Sequence, residues 1–209
     1  MTAGQQPTAG RPRDPDKDVA VIRATRELLV EAGYQGTTVI AIARRARVGA
    51  PTIYRRWAAK ESLVEEAAFG HAQPAPLPAP TGELRADLRA WVAMFLDWLA
   101  HPVTRAALPG LLTAYHRDEN LYERLVVRSE LDVRHALTGL LAPTLAELPK
   151  PQRITRADAV FDFLVAATVT RAMTRGLVDR DEFCDHTAEA LAVLATAPRV
   201  TRRRAGTTR

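Results

Sequence analysis

Residues 51–63 read PTIYRRWAAKESL and bring several kinds of chemistry into one short stretch: cations at Arg55, Arg56 and Lys60, aromatic rings at Tyr54 and Trp57, and a hydroxyl at Thr52. A guanidinium can grip guanine O6 and N7 with two bonds, and a threonine hydroxyl can reach a phosphate or a base edge. Tyrosine and lysine can hold phosphate oxygens, which fix register without reading sequence. At 100° per residue on a helix, Ile53 and Trp57 point one way and Thr52, Arg55 and Arg56 point the other, with Tyr54 on a flank. An apolar side can anchor such a helix while the cationic side meets a DNA groove.

The elements that must position these residues are helical. A first helix spans about Asp16–Ala32, with Ile22, Leu29 and Ala32 at helical spacing, and Gly33 follows as an expected left-handed C-cap. Thr37 or Thr38 can N-cap a second helix, in which Val39, Ile42, Ala43 and Ala46 form a one-sided apolar stripe. Arg47-Val48-Gly49 makes the turn, and a third helix covers about Ala50–Trp57. Two short helices joined by a tight turn, the second presenting arginines, form a helix-turn-helix over about 38–57. A fourth helix runs from about Lys60 to His71.

The Pro-rich stretch 72–82 cannot be helical throughout, so it separates a DNA-binding domain at 17–71 from a larger domain at 83–197. In the latter, helices are expected at about 83–100, 103–115, 119–141, 156–175 and 181–196, with Asp118 and Thr155 as N-caps. Residues 1–16 and the Arg-rich 198–209 read as disordered tails. Strand signals and repeats are lacking. The expected class is all-α: an N-terminal three-helix unit carrying the helix-turn-helix, then a C-terminal helical bundle.

The formal net charge is +5. Arg199, Arg202, Arg203, Arg204 and Arg209 in the tail account for all of that excess, so the global charge says little about nucleic acid. The local distribution says more. Between Glu31 and Glu61 no acid occurs, while Arg44, Arg45, Arg47, Arg55, Arg56 and Lys60 all fall there, an electropositive patch on a short segment.

With these residues in place, the segment EAGYQGTTVIAIARRARVGAPTIYRRWAAKESLV resembles the DNA-binding domain of tetracycline-repressor (TetR) family regulators. The matching positions are Gly33-Tyr34, Thr37-Thr38, Ile42-Ala43, Val48, Pro51-Thr52-Ile53-Tyr54, Trp57, Lys60-Glu61 and Leu63. Gly49 stands where the family often has a capping Ser, Ala59 where it often has Ser or Asn, and Trp57 where Phe is commoner. The resemblance implies backbone-phosphate contacts from Thr38, Thr52, Tyr54 and Lys60. It places Arg55, Arg56, Ala50 and Pro51 in the groove, with Arg44 reaching phosphate from the second helix. Arg11 and Arg13 in the tail could add contacts.

The resemblance also implies a homodimer on double-stranded DNA, paired through the last two helices, with a small-molecule effector held by the earlier ones. The stretches at 164–176 and 188–197 are rich in small residues, which allow close helix approach. The expected seam includes Ala166, Ala167, Thr170, Ala188, Ala192 and Ala195. Trp91, Met94, Phe95, Trp98, Leu112, Tyr115, His116 and Tyr122 are the expected lining of an apolar or aromatic effector site, although such a stripe is more often plain core.

Other chemistries find little support. The histidines 71, 101, 116, 135 and 186 form no i,i+4 pair and have no Cys partners, so no metal site is expected. Phosphate loops are lacking, and nothing calls for a cofactor. Cys184 and His186, two apart, do not face each other on a helix, and Cys184 reads as a small buried hydrophobe. No stretch is long and apolar enough to span a membrane. A lone cysteine and an N-terminus without an apolar core region suggest a cytoplasmic protein. The residues point to a DNA-binding protein and not an enzyme, and the resemblance implies a ligand-responsive regulator, expected to be a repressor, on a palindromic operator. A regulator of the same fold controlled by a partner protein, and an all-α enzyme or scaffold with an incidental basic patch, stay open as alternatives.

Overall fold

The computed structural model describes residues 15–70, 77–118, 123 and 131–198, and among these every regular element is helical. Arg11, Arg13, His71, Tyr122, most of the region 119–130 and the Arg-rich tail lie outside the described residues.

The N-terminal half is built from α1 (Pro15–Gly36), α2 (Val39–Ala46), α3 (Ala50–Tyr54) and α4 (Lys60–Glu65), the last continuing as a π-turn over Glu66–Gly70. Gly33 has the positive φ expected of a cap, at 66°, but its ψ of −177° lies outside the left-handed helical region. That backbone is open essentially to glycine alone. It lets the chain resume one further turn before Thr37, whose hydroxyl donates to the Gly33 carbonyl at 2.7 Å. Thr38 is the cap of α2, its Oγ1 accepting from Ala41 N–H at 3.1 Å. The core of this half joins Val21, Ile22 and Leu28 of α1 to Ile42 and Ala43 of α2, Ile53 of α3, Trp57, and Leu63 of α4.

The C-terminal half comprises α5 (Leu84–Ala100), α6 (Pro102–Arg117), α7 (Leu131–Leu141), α8 (Lys150–Thr174) and α9 (Arg180–Thr196). Its core gathers Trp91, Phe95 and Leu96 of α5, Leu137 and Leu141 of α7, Val160, Phe161 and Leu164 of α8, and Cys184, Ala188 and Leu191 of α9. One expected cap is corrected. Thr155 lies inside α8, bonded to the Pro151 carbonyl at 3.1 Å, because that helix begins at Lys150. Pro149 and Pro151 open it, as proline suits a first turn whose N–H groups have no partner anyway. Asp118 is the C-cap of α6, and the start of the helix it was expected to cap lies outside the described residues.

A third cluster welds the halves. Leu29 of α1, with Val64 and Ala68 beside it on α4 and its π-turn, packs on Val103, Ala107, Leu111 and Tyr115 of α6. Helix α4 therefore serves both sides: Leu63 faces the N-terminal core and Val64 the interdomain cluster.

Candidate nucleic-acid interface

The geometry of α2 and α3 follows from local rules. Helix α2 ends on Arg47, which takes the left-handed conformation (φ 56°, ψ 41°), and Val48 N–H reaches back to the Ala43 carbonyl at 3.0 Å. This is a Schellman closure with a non-glycine residue at its left-handed position. Gly49 has φ −74° and N-caps α3 through its backbone only, and Pro51 sits in the first turn. Helix α3 is shorter than expected, ending at Tyr54. Ile53 and Trp57 are nevertheless both buried, and Trp57 Nε1 donates to Glu66 Oε2 at 2.5 Å.

With that side anchored, Thr38, Pro51, Tyr54, Arg55 and Arg56 are exposed, and Ala50 and Thr52 are half-buried beside them. Arg44 is exposed on the last turn of α2, and no ion pair to it is found among the described residues. Arg55 leans toward Thr52, at 3.4 Å from Oγ1. Arg56 stacks near Trp57 and is paired with Asp18 of α1. Arg45 belongs to a different set. It grips Glu31 with two bonds of 2.8 and 2.7 Å, which pulls the Glu31 carboxyl below its usual range. Lys60 is half-buried at the start of α4, where Ala59 offers no side-chain cap. Its Nζ donates to the Tyr34 carbonyl at 2.6 Å, and burial lowers its pKa. Sequence reasoning missed Asp18, Glu31 and Tyr34 as neighbours of these cations. All three lie on α1, and only the tertiary packing of α1 against α2 and α4 reveals them.

The expected effector residues do not form one site. Trp91 and Phe95 lie in the bundle core with half-buried Met94 and Trp98 against it, whereas Tyr115 belongs to the interdomain cluster. Leu112 and His116 are exposed, pointing away from both. The reason is helical phase: on α6, Leu108, Leu111 and Tyr115 share the inward stripe, so positions 112 and 116 turn outward. The aromatic cluster itself is real and includes residues not anticipated. Phe95 lies edge-on to Phe161 at 6.0 Å, and Phe69 lies edge-on to Trp98 at 5.3 Å. Trp91 Nε1 is buried without a hydrogen-bond partner.

The expected seam also divides. Ala188 and Ala195 are buried in their own protomer's core, with Ala192 partly packed on it. They share the phase of Cys184 and Leu191, and their small size lets α9 lie close to α5. Ala166 and Thr170 are exposed and Ala167 is half-buried. Together with Phe163, Arg171, Thr174 and Phe183 they line an open groove of about 480 Å³. Phe163 and Val193 are 62% and 63% exposed, the largest apolar exposures on α8 and α9. Metal-binding groups of three or more His, Cys, Asp or Glu are not found among the described residues, and no described helix is long and apolar enough to cross a membrane.

These features coincide with a known class. Residues 21–67 match the model of bacterial regulatory proteins of the tetR family, and residues 78–191 match that of the tetracyclin repressor-like C-terminal domain. The chain belongs to the tetR family and is a helix-turn-helix transcriptional regulator. It is 37% identical over 137 residues to the uncharacterised regulator YdeS of Bacillus subtilis, covering 65% of this chain and 68% of that one. It is 39% identical over 84 residues to the uncharacterised regulator Mb1581 of Mycobacterium bovis, covering 38% of this chain and 42% of the length of that relative. The fold resembles that of the multidrug binding protein EbrR complexed with imidazole, with a TM-score of 0.59, 19% identity, and coverage of 90% of this chain and 99% of that one.

Proposed function

We propose that the chain is a cytoplasmic, ligand-responsive repressor that binds a palindromic operator as a homodimer. One observation carries this reading: Ile53 and Trp57 fix α3 from behind, leaving Thr52, Tyr54, Arg55 and Arg56 on the outer side with Arg44 and Thr38 nearby. Arg55 and Arg56 read base edges in the major groove, with Ala50 and Pro51 against the groove floor, while Thr38, Arg44, Thr52, Tyr54 and Lys60 hold phosphates. For Arg56 this means exchanging Asp18 for DNA. The repressor sign is supported by the family description.

The copies pair through the outward faces of α8 and α9, where Phe163, Ala166 and Thr170 line an open apolar groove and Val193 is exposed. The effector is a small apolar or aromatic molecule received among Trp91, Met94, Phe95 and Trp98. The unpartnered Trp91 N–H favours a ligand carrying a hydrogen-bond acceptor. Opening of this cluster shifts α4, which touches both halves, and so changes the spacing of the two DNA-binding units. Such coupling is worth about 1–3 kcal/mol.

The test is competition between selected operator and random duplexes. Arg55→Ala and Arg56→Ala should each cost about 1–3 kcal/mol on the operator and much less on random DNA. Equal losses on both duplexes would remove base readout by this pair. Ala166→Arg should yield monomers by light scattering at micromolar concentration. A wild-type monomer that binds operator tightly would refute the dimer.

A further inference from the structure

Helix α6 carries Pro109 and Gly110 side by side in its middle. The proline withholds one helix hydrogen bond, and the glycine leaves a gap that the ring of Tyr34, from the end of α1, occupies. A Cβ on Gly110 would fall within that ring. The same tyrosine meets the start of α4. Its hydroxyl donates to Glu61 Oε1 at 2.8 Å, and its carbonyl accepts from Lys60 Nζ at 2.6 Å. The Lys60 ammonium stands 3.8 Å from the ring centroid. An ammonium has three N–H donors. The carbonyl takes one and the ring covers one side, which fixes the direction left for a third partner. Glu61, drawn onto the tyrosine hydroxyl, does not claim that place.

We propose that Tyr34 is a positioning residue for Lys60, and that Gly110 makes the C-terminal half a party to the positioning. Helix α6 sets the ring, the ring and its carbonyl set the ammonium, and the ammonium meets the DNA backbone already oriented. The inference rests on the reading of Lys60 as a phosphate contact. A free lysine loses much rotamer freedom when it is immobilised, whereas one held by Tyr34 has already lost it, so the held form binds phosphate more tightly.

The full-length protein tests this by titration with a random-sequence duplex at several salt concentrations. Lys60→Ala should weaken binding roughly tenfold, the scale of one charged hydrogen bond, and lower the salt slope by about one phosphate contact per subunit. Gly110→Ala and Tyr34→Leu should reproduce most of that loss, and adding Lys60→Ala to either should cost little more. Tyr34→Phe keeps ring and carbonyl and should bind within about twofold of wild type. By NMR, the Lys60 ε-methylene protons should show an upfield ring-current shift in the wild type and Tyr34→Phe, and lose it in Gly110→Ala and Tyr34→Leu. If Gly110→Ala fails to fold, Tyr34→Leu, which introduces no clash, carries the test, with Tyr34→Phe controlling for the lost bond to Glu61. Losses that add fully to that of Lys60→Ala, or wild-type affinity with the ring-current shift gone, would reduce the joint to packing and overturn the proposal. An unchanged affinity and slope in Lys60→Ala itself would overturn both the proposal and the phosphate reading of Lys60, whereas the other two results leave that reading standing.

Discussion

In the N-terminal half, helices of 8 and 5 residues carry the candidate DNA contacts, while in the bundle helices of 17 and 25 residues carry most of the core. Helices as short as α2 and α3 do not form alone in water. They exist because Thr38 and Arg47 close the ends of α2 and because Ile53 and Trp57 sink into a small core. The bundle spreads the same task over many large side chains, and its ion pairs lie along whole helix faces, as where Arg89 joins α5 to Asp181 and Asp185 of α9. The recognition unit is thus held by a few single anchors, and the bundle by redundancy.

The largest effect should come from removing an anchor. Trp57→Ala deletes a buried indole and its bond to Glu66, at a cost of about 3–5 kcal/mol. It should abolish duplex binding at temperatures where the bundle remains helical by circular dichroism. Phe161→Ala should cost a similar amount in the bundle core but spare duplex binding in the cold. If both variants lose DNA binding together, the two cores act as one unit and the contrast fails.

A smaller effect is expected at the start of the bundle, where one side chain again acts alone. Asp87 is buried, and its carboxylate accepts from Thr81 N–H and Oγ1, both at 2.7 Å, and from Gly82 N–H at 3.3 Å. Burial pushes this carboxyl up, but the bonds from Thr81 and Gly82 outweigh it and leave the pKa lowered. A depressed folded value means that the contribution is complete above the unfolded value of about 3.9 and fades as pH falls through the folded one. Asp87→Ala should cost about 1–2 kcal/mol at pH 7, and the deficit relative to wild type should shrink below about pH 4. A deficit independent of pH would assign the loss to packing instead.

The contrast also explains what could be read from the sequence. The helix-turn-helix was legible because its signals are local: a cap at Thr38, the apolar stripe from Val39 to Ala46, a turn, and the acid-free window from Ala32 to Lys60. Asp18 and Glu31 were not, since partners 38 and 14 residues away meet Arg56 and Arg45 only after α1 has packed. In the bundle, helix existence was clear and helix function was not. Ala188 and Ala195 belong to a small-residue stripe that suits a dimer seam and a close intramolecular crossing equally, and only their phase relative to α5 decides. Leu112 and His116 failed as pocket residues for the same reason. Helix α8 starts at Lys150, ahead of the expected 156, because Pro149 at the N-cap and Pro151 in the first turn suit a helix N-terminus.

The smallest effect should be a gain. Arg47 ends α2 at φ 56°, a conformation that costs an L-residue with a Cβ about 1 kcal/mol or more. Sequence reading gave the turn to Arg47-Val48-Gly49, and the glycine there looks like the flexible residue, yet Gly49 has an ordinary φ of −74°. Arg47→Gly should relieve the strain without disturbing the bond from Val48 N–H to the Ala43 carbonyl. Glycine also gains freedom in the unfolded chain, so the net stabilisation should stay below about 1 kcal/mol and appear as a small rise in Tm. The Arg47 side chain is exposed, which makes its charge the other quantity at stake. If Arg47 holds a phosphate, Arg47→Gly should be more stable yet weaker on all duplexes, with a shallower salt dependence. A more stable variant with unchanged binding would mean that the strain at Arg47 serves the turn alone.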